Sequence, residues 1–499
     1  MEEPIKKLFT SKGTSPFSEE WQAMEQPQLI TALFPALLWN EERFKQDTAL
    51  LISEQGILFL GSHREVEEEI LRRRGQGEYV TQRRLPRRAL IPGFINTHSH
   101  AFQRAIRGRT EYPRESTPGR EDFWSWRGLM YQAASLLGPD EVEAISQAVL
   151  VEMVKSGITR VGEFHYLHHQ PNGTPYPDPD ELARRVLRAA GSAGIRMTLL
   201  RSFYQRAGVG RPAAEGAQKI FSDPGVEYYL ETLDRLRSEG IEIGVTPHSV
   251  RAVPRDDLEK LVEYAQIHSL PFHIHASEQA KEIEESLQEY GLRPVELLHE
   301  MGALGPRTTL VHAIHLQPNE IEAIGKNQCS IASCPTTERN LGDGIVPARE
   351  LLEAGAFFTF GTDSQCQICL PEDARQLEYH LRLQNQTRSV LFPESEAAAR
   401  SAMAMLTTNG ARSLEVKDAG KLEVGFQADL VALDLEHLAL AGADAESLPL
   451  DIIFSFVPGV VTDVWCAGSE VVTEGFHRAE HQARDNLRYV MSQLRAAVR

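Results

Sequence analysis

The residues of this chain best equipped for chemistry are histidines and acids that close short apolar runs. His98 and His100 are two apart, and in extended chain residues i and i+2 project to the same side, so both imidazoles can reach one ion. His273 and His275 repeat the spacing, while His312 and Asp363 end two further runs. Three imidazoles and one carboxylate suit a divalent ion such as Zn²⁺ and leave a position for water. Of His273 and His275, the second lies nearer the end of its run and stands three residues before Glu278, a spacing that could set a carboxylate beside that water. We therefore select His275. A lone histidine usually needs no functional explanation, but this many at equivalent places do.

The runs that carry these residues recur with a rhythm. ALIPGFINTH (89–98), ITRVGEF (158–164), RMTLLRSF (196–203) and IEIGVTPH (241–248) are followed by PFHIHA (271–276), TTLVHAI (308–314), QCSIASC (328–334) and FFTFGTD (357–363). Segments of helical period, such as DELARRVLRAAGSAG (180–194), fill most of the intervals. Eight alternations of strand and helix predict an α/β fold, a (β/α)8 TIM-like barrel over 89–414, and barrel enzymes place their chemistry at the C-terminal ends of the strands. Apolar runs at 28–61 and alternating segments within 415–475 predict a smaller β-sandwich domain built from both chain ends (28–88 and 415–475). Residues 1–27 read as a polar tail, the Arg- and Glu-rich stretch 64–88 as a solvated helix and loop, and 476–499 as a C-terminal helix.

The 499 residues carry 52 Lys and Arg against 70 Asp and Glu, a net charge of −18 that argues against nucleic acid or an anionic membrane as partner. No apolar run is long enough for a membrane span, and the N-terminus lacks the apolar core of a secretory signal. Five scattered cysteines make no disulfide framework, and Cys366 and Cys369, a single C-x-x-C, read as ordinary thiols. These features predict a reduced, cytoplasmic enzyme.

PGFINTHSHAFQRA, HIHASEQ, LVHAIHL and GTDS resemble the amidohydrolase superfamily, in its branch of cytosine-deaminase-like aminohydrolases. HSHAFQRAIRG, DFWSWRGLMY, GEFHYLHH, TPHSVRAV and SCPTTERNLGDG resemble, within that branch, the formimidoylglutamate deiminase family of histidine degradation. The resemblance implies that His98, His100, His275 and Asp363 bind one metal, Zn²⁺ foremost with Fe, Mn or Co compatible, and that His312 stands beside it. ITRVGEFHY, RMTLLRSFY and IEIGVTPHS contain no lysine to be carboxylated, which argues against a second metal. The implied reaction is hydrolysis of N-formimino-L-glutamate to N-formyl-L-glutamate and ammonia by a homodimer. Glu278 would shuttle protons, Asp363 would also accept one, and His312 would stabilise the developing charge.

A small substrate with two carboxylates calls for arginine forks. The resemblance implies that His248 and Arg251 contact it, with Gln103 and Tyr166 as further contacts and Arg127 as a second carboxylate partner. Trp124 and Trp126 read as packing residues. The alternative is another aminohydrolase of the branch acting on a nucleobase such as guanine, which would call for aromatic stacking and amide contacts instead. A metal-free scaffold barrel is the reading from a different class, and the complete ligand set argues against it.

Overall fold

The structure is a computed structural model describing residues 29–111, 123–211, 216–392 and 395–497. The expected tail at 1–27 lies outside the described residues.

All eight expected barrel strands form. Phe94–Ser99, Ile158–His165, Arg196–Phe203 and Thr246–Pro247 make one parallel sheet of four, and Phe272–Ala276, Thr308–His312, Ser330–Ser333 and Phe357–Phe360 make another. Parallel bridges Val245–Phe272 and Ser99–Asp363 join the two sheets at both margins, so the eight strands close on themselves. The second bridge lies beside the chemical centre, joining Ser99, which stands between His98 and His100, to Asp363 in the turn after the last strand. Gly361 makes that approach possible, because a Cβ there would lie 2.6 Å from His98 Cβ. Helices cover the outside through apolar stripes. In Glu181–Ala193 the buried residues Leu182, Val186, Ala189, Ala190 and Ala193 recur at the spacing of one helical face.

The two chain ends do come together, but as one sheet and not as a sandwich. Hydrogen bonds run unbroken through Phe476–His477, Ser469–Thr473, Val461–Cys466, Leu430–Asp434, Val80–Pro92, Ile30–Asn40, Thr48–Ser53 and Gly56–Ser62, with Arg43–Lys45 paired to Ile30–Asn40. Residues of these strands serve three clusters, one of which sets Ala32, Phe34, Ala49 and Leu51 against Val66 and Ile70 of the helix His63–Gly75. Leu33, Leu50, Leu90, Leu430 and Trp465 pack in another, while Leu37, Ala89, Ile91, Val431 and Val464 belong to the core shared with the barrel.

A second difference concerns 64–88. The helix forms over His63–Gly75, but the arginine-rich stretch after it is not a loop: it begins the strand Val80–Pro92. Its charge conceals it. Arg83 pairs with Asp463 and Glu470, Arg84 with Glu67, Arg87 with Glu436 and Arg88 with Asp434, so ion pairs match the arginines of this strand on both of its sides. Gly93 then links this strand to the first barrel strand, at a point where a Cβ would fall 2.0 Å from Thr159 Oγ1. The expected helix at 396–414 is two helices, Ser395–Leu406 and Thr408–Ser413. Among the described residues no helix is long and apolar enough to cross a membrane.

Candidate metal centre and its anion wall

Alternation along the first barrel strand sends His98 and His100 the same way, and the fifth strand sends His275 to meet them. His98 Nε2 lies 3.1 Å from His100 Nε2 and 3.2 Å from His275 Nε2. Asp363 Oδ1 is 3.3 Å from His100 Nε2 and 3.6 Å from His98 Nε2. All four side chains are buried. His100 Nδ1 donates to the carbonyl of Phe164 (2.7 Å) and His275 Nδ1 to that of His248 (2.9 Å), which leaves the Nε2 lone pairs facing one another. Burial holds the imidazoles neutral, bringing His100 down to about 3 and His275 well below the usual range. Converging lone pairs beside a buried carboxylate repel unless a cation lies among them, so this donor set fits a divalent ion.

His273 stays out of the cluster. It shares the inward side with His275, but it sits deeper, where its Nε2 donates to the carbonyl of Ser413 (2.8 Å). His312 Nε2 faces Glu278 (3.6 Å) and Asp363 Oδ2 (3.8 Å), and its Nδ1 faces Glu338 (3.3 Å). Burial alone would lower His312, but these carboxylates outweigh it and raise the ring to about 10. Burial, reinforced by Asp363, pushes Glu278 above the ordinary carboxylate range. His312 and Asp363 both adopt left-handed backbone, φ 71° and 44°. Such conformations cost about 1–3 kcal/mol each and recur where side chains must be aimed.

Above the centre opens a cavity lined among others by His100, His275, Asp363, His312, Glu278, Gln103, Tyr166, His248, Arg127 and Arg251. Of the residues expected from sequence, only His98, which is fully buried, is absent from that lining. Tyr166 stacks on His100 (ring centroids 4.2 Å apart), with its hydroxyl 3.5 Å from His275 Nε2. His248 stacks on both Tyr166 and His275. Arg127, on the helix Phe123–Ala134, donates from Nε to the Tyr131 hydroxyl (2.6 Å) and from Nη2 to that of Tyr204 (2.9 Å). Arg251 is buried, and its Nε and Nη1 find no hydrogen-bond partner among the described residues. Cys366 and Cys369 are free thiols, and neither belongs to the metal-competent groups found among the described residues.

Three contributors escaped sequence reasoning. Glu163 is buried, accepting hydrogen bonds from Ser99 Oγ and from the backbone of Ala101 (2.7 Å), so it braces the turn that carries His98 and His100. A carboxylate inside the apolar run ITRVGEF was the available signal. Glu338 accepts from the backbone of Cys334 (2.8 Å) as well as facing His312, and that role accounts for the compact His312–Cys334–Glu338 group. The third is the aromatic helix Phe123–Ala134: Phe123, Trp126 and Met130 line the cavity and Trp124 meets three cations, so its tryptophans do more than pack.

Comparison with known proteins agrees with this geometry. Residues 89–471 match the profile of the amidohydrolase family. The chain is 38% identical over 412 residues to formimidoylglutamate deiminase of Pseudomonas aeruginosa, covering 81% of this chain and 89% of that one. Among solved structures, an amidohydrolase from Brucella melitensis superposes with a TM-score of 0.81 at 32% identity, covering 94% of this chain and all of the other. An adenosine deaminase from Xanthomonas campestris with bound zinc shares the fold, with a TM-score of 0.75 at 22% identity over 94% of this chain and 98% of that one.

Proposed function

This chain belongs to the amidohydrolase family and is a hydrolase of C–N bonds, and from that premise we propose that it deiminates N-formimino-L-glutamate, giving N-formyl-L-glutamate and ammonia. The observation that carries the substrate is Arg251, a buried guanidinium on the cavity wall whose Nε and Nη1 lack partners among the described residues. Leaving such donors unmet is costly, and a carboxylate answers them in a bidentate fork. Arg127, anchored by two tyrosines, offers the second carboxylate a cation on the same wall. The relative of highest identity reported above is named for this same reaction.

His98, His100, His275 and Asp363 hold one divalent ion in this reading, with zinc the preferred metal. When bound, that ion supplies the Lewis acidity that makes water nucleophilic near neutral pH. Glu278 takes a proton from the attacking water onto its carboxylate and passes it to the imino nitrogen, as its raised affinity for protons suits it to do. His312, set between Glu278 and Asp363, hydrogen-bonds the incoming oxygen and steadies the charge that develops there. Collapse of the tetrahedral carbon expels the nitrogen once it receives a second proton, which Asp363 has accepted from the same oxygen. Gln103, Tyr166 and His248 close around the formimino end.

The test is ammonia release by zinc-loaded protein from N-formimino-L-glutamate, run beside guanine and adenosine. Turnover of the amino-acid derivative alone is the expected result. Preferential turnover of a nucleobase would replace this reading with the guanine-type alternative.

A further inference from the structure

Three cations crowd one indole at the rim of the cavity. The centroid of the half-buried Trp124 ring lies 5.3 Å from Arg251 Cζ, 5.5 Å from Arg127 Cζ and 4.4 Å from Lys281 Nζ. The three come from different places: Arg127 from the same helix, Arg251 from the turn after the fourth barrel strand, and Lys281 from the first turn of the helix Ala280–Tyr290. Like charges this close repel, and buried guanidiniums usually take carboxylate partners. Arg127 and Arg251 are both buried, yet among the described residues neither has an acidic group within 4.0 Å.

An aromatic face resolves this differently from a carboxylate. It attracts a cation through the ring quadrupole and consumes none of its N–H groups. An acid placed there would hold the arginines equally well but would occupy the donors a ligand needs. The indole meets both arginines; Arg127 gives Nε and Nη2 to Tyr131 and Tyr204, while Arg251 Nε and Nη1 stay unspent among the described residues. Lys281, half-exposed on the same ring, extends the positive rim toward solvent in a chain whose net charge of −18 would otherwise turn anions away.

We propose that Trp124 is the positioning residue of this wall: its ring sets Arg127 and Arg251 side by side and thereby determines the preference for ligands with two carboxylates over ligands with one. The inference rests on the dicarboxylate reading above, and it extends that reading from the arginines to the group that arrays them.

The experiment compares wild type with Trp124→Phe, Trp124→Leu and Trp124→Ala as full-length, zinc-loaded protein. Calorimetry reads the binding of glutarate and of butyrate, and kinetics reads kcat and KM for N-formimino-L-glutamate and N-formiminoglycine. Trp124→Leu and Trp124→Ala are expected to weaken glutarate about ten-fold and butyrate by less than about two-fold. KM for N-formimino-L-glutamate should rise in parallel while kcat and zinc content hold, and Trp124→Phe, which keeps a ring, should recover most of the loss. Equal losses for both ligands, a fall in kcat at constant KM, or no loss would each overturn the proposal. If the alanine variant does not fold, the leucine–phenylalanine pair decides. A wild type that binds glutarate through Trp124 but releases no ammonia would overturn the proposed reaction and leave the platform standing. Ammonia release with an unchanged dicarboxylate preference in the leucine variant would remove the platform alone.

Discussion

The floor of the cavity and its wall are built on different principles. On the floor, His98, His100 and His275 project from barrel strands, and main-chain carbonyls of Phe164 and His248 fix two of the three rings. Backbone groups cannot choose another rotamer, so the floor is set by the fold itself. On the wall, Arg127 and Arg251 stand on a helix and a turn, and side chains alone hold them: two tyrosine hydroxyls and an indole. The floor is suited to reactivity, which must not vary, and the wall to selection, where substituting one side chain alters what is accepted without disturbing the chemistry. This separation fits a family whose members share a fold while acting on different compounds.

That contrast can be broken in graded ways. Removing the ion with a chelator should abolish ammonia release altogether, and added zinc should restore it. Glu278→Gln keeps the shape of the site but cannot carry the proton; kcat should fall about 10²- to 10⁴-fold, with metal content by atomic absorption unchanged. Arg251→Met is expected to act on the wall only, raising KM for N-formimino-L-glutamate about 10- to 100-fold at full zinc occupancy. A fall in zinc content in that variant would show that floor and wall are not separable. The smallest effect belongs to Glu163→Gln. Its amide can accept from Ser99 or from Ala101 but not from both, so zinc affinity in a competition titration should drop about ten-fold while KM stays put.

The floor was far more legible in the sequence than the wall. Strand alternation and the strand-end position of polar residues are local signals, so His98, His100, His275, His312 and Asp363 could be chosen before any coordinate was known, and His273 set aside. The wall depends on how a helix and a turn lie over the barrel mouth, which no local period encodes. Trp124 therefore read as packing, although it contacts both arginines. Glu163 and Glu338 were missed because their importance lies in what they touch. In the fold, the eight barrel strands announced themselves by apolarity, whereas Val80–Pro92 did not. Its arginines match acids on neighbouring strands or on the adjacent helix, and a charged stretch of that kind looks in sequence like a solvated loop.

The nine-stranded sheet has a consequence for biosynthesis. The strand Val80–Pro92 is joined on one side to Ile30–Asn40, made just before it, and on the other to Leu430–Asp434, which leaves the ribosome only after the entire barrel. Until then the early strands present an unpaired edge, the kind of surface through which nascent chains associate wrongly. These later strands act as the clasp of the molecule, and a chain cut short before them would retain every residue of the candidate metal centre yet expose that edge.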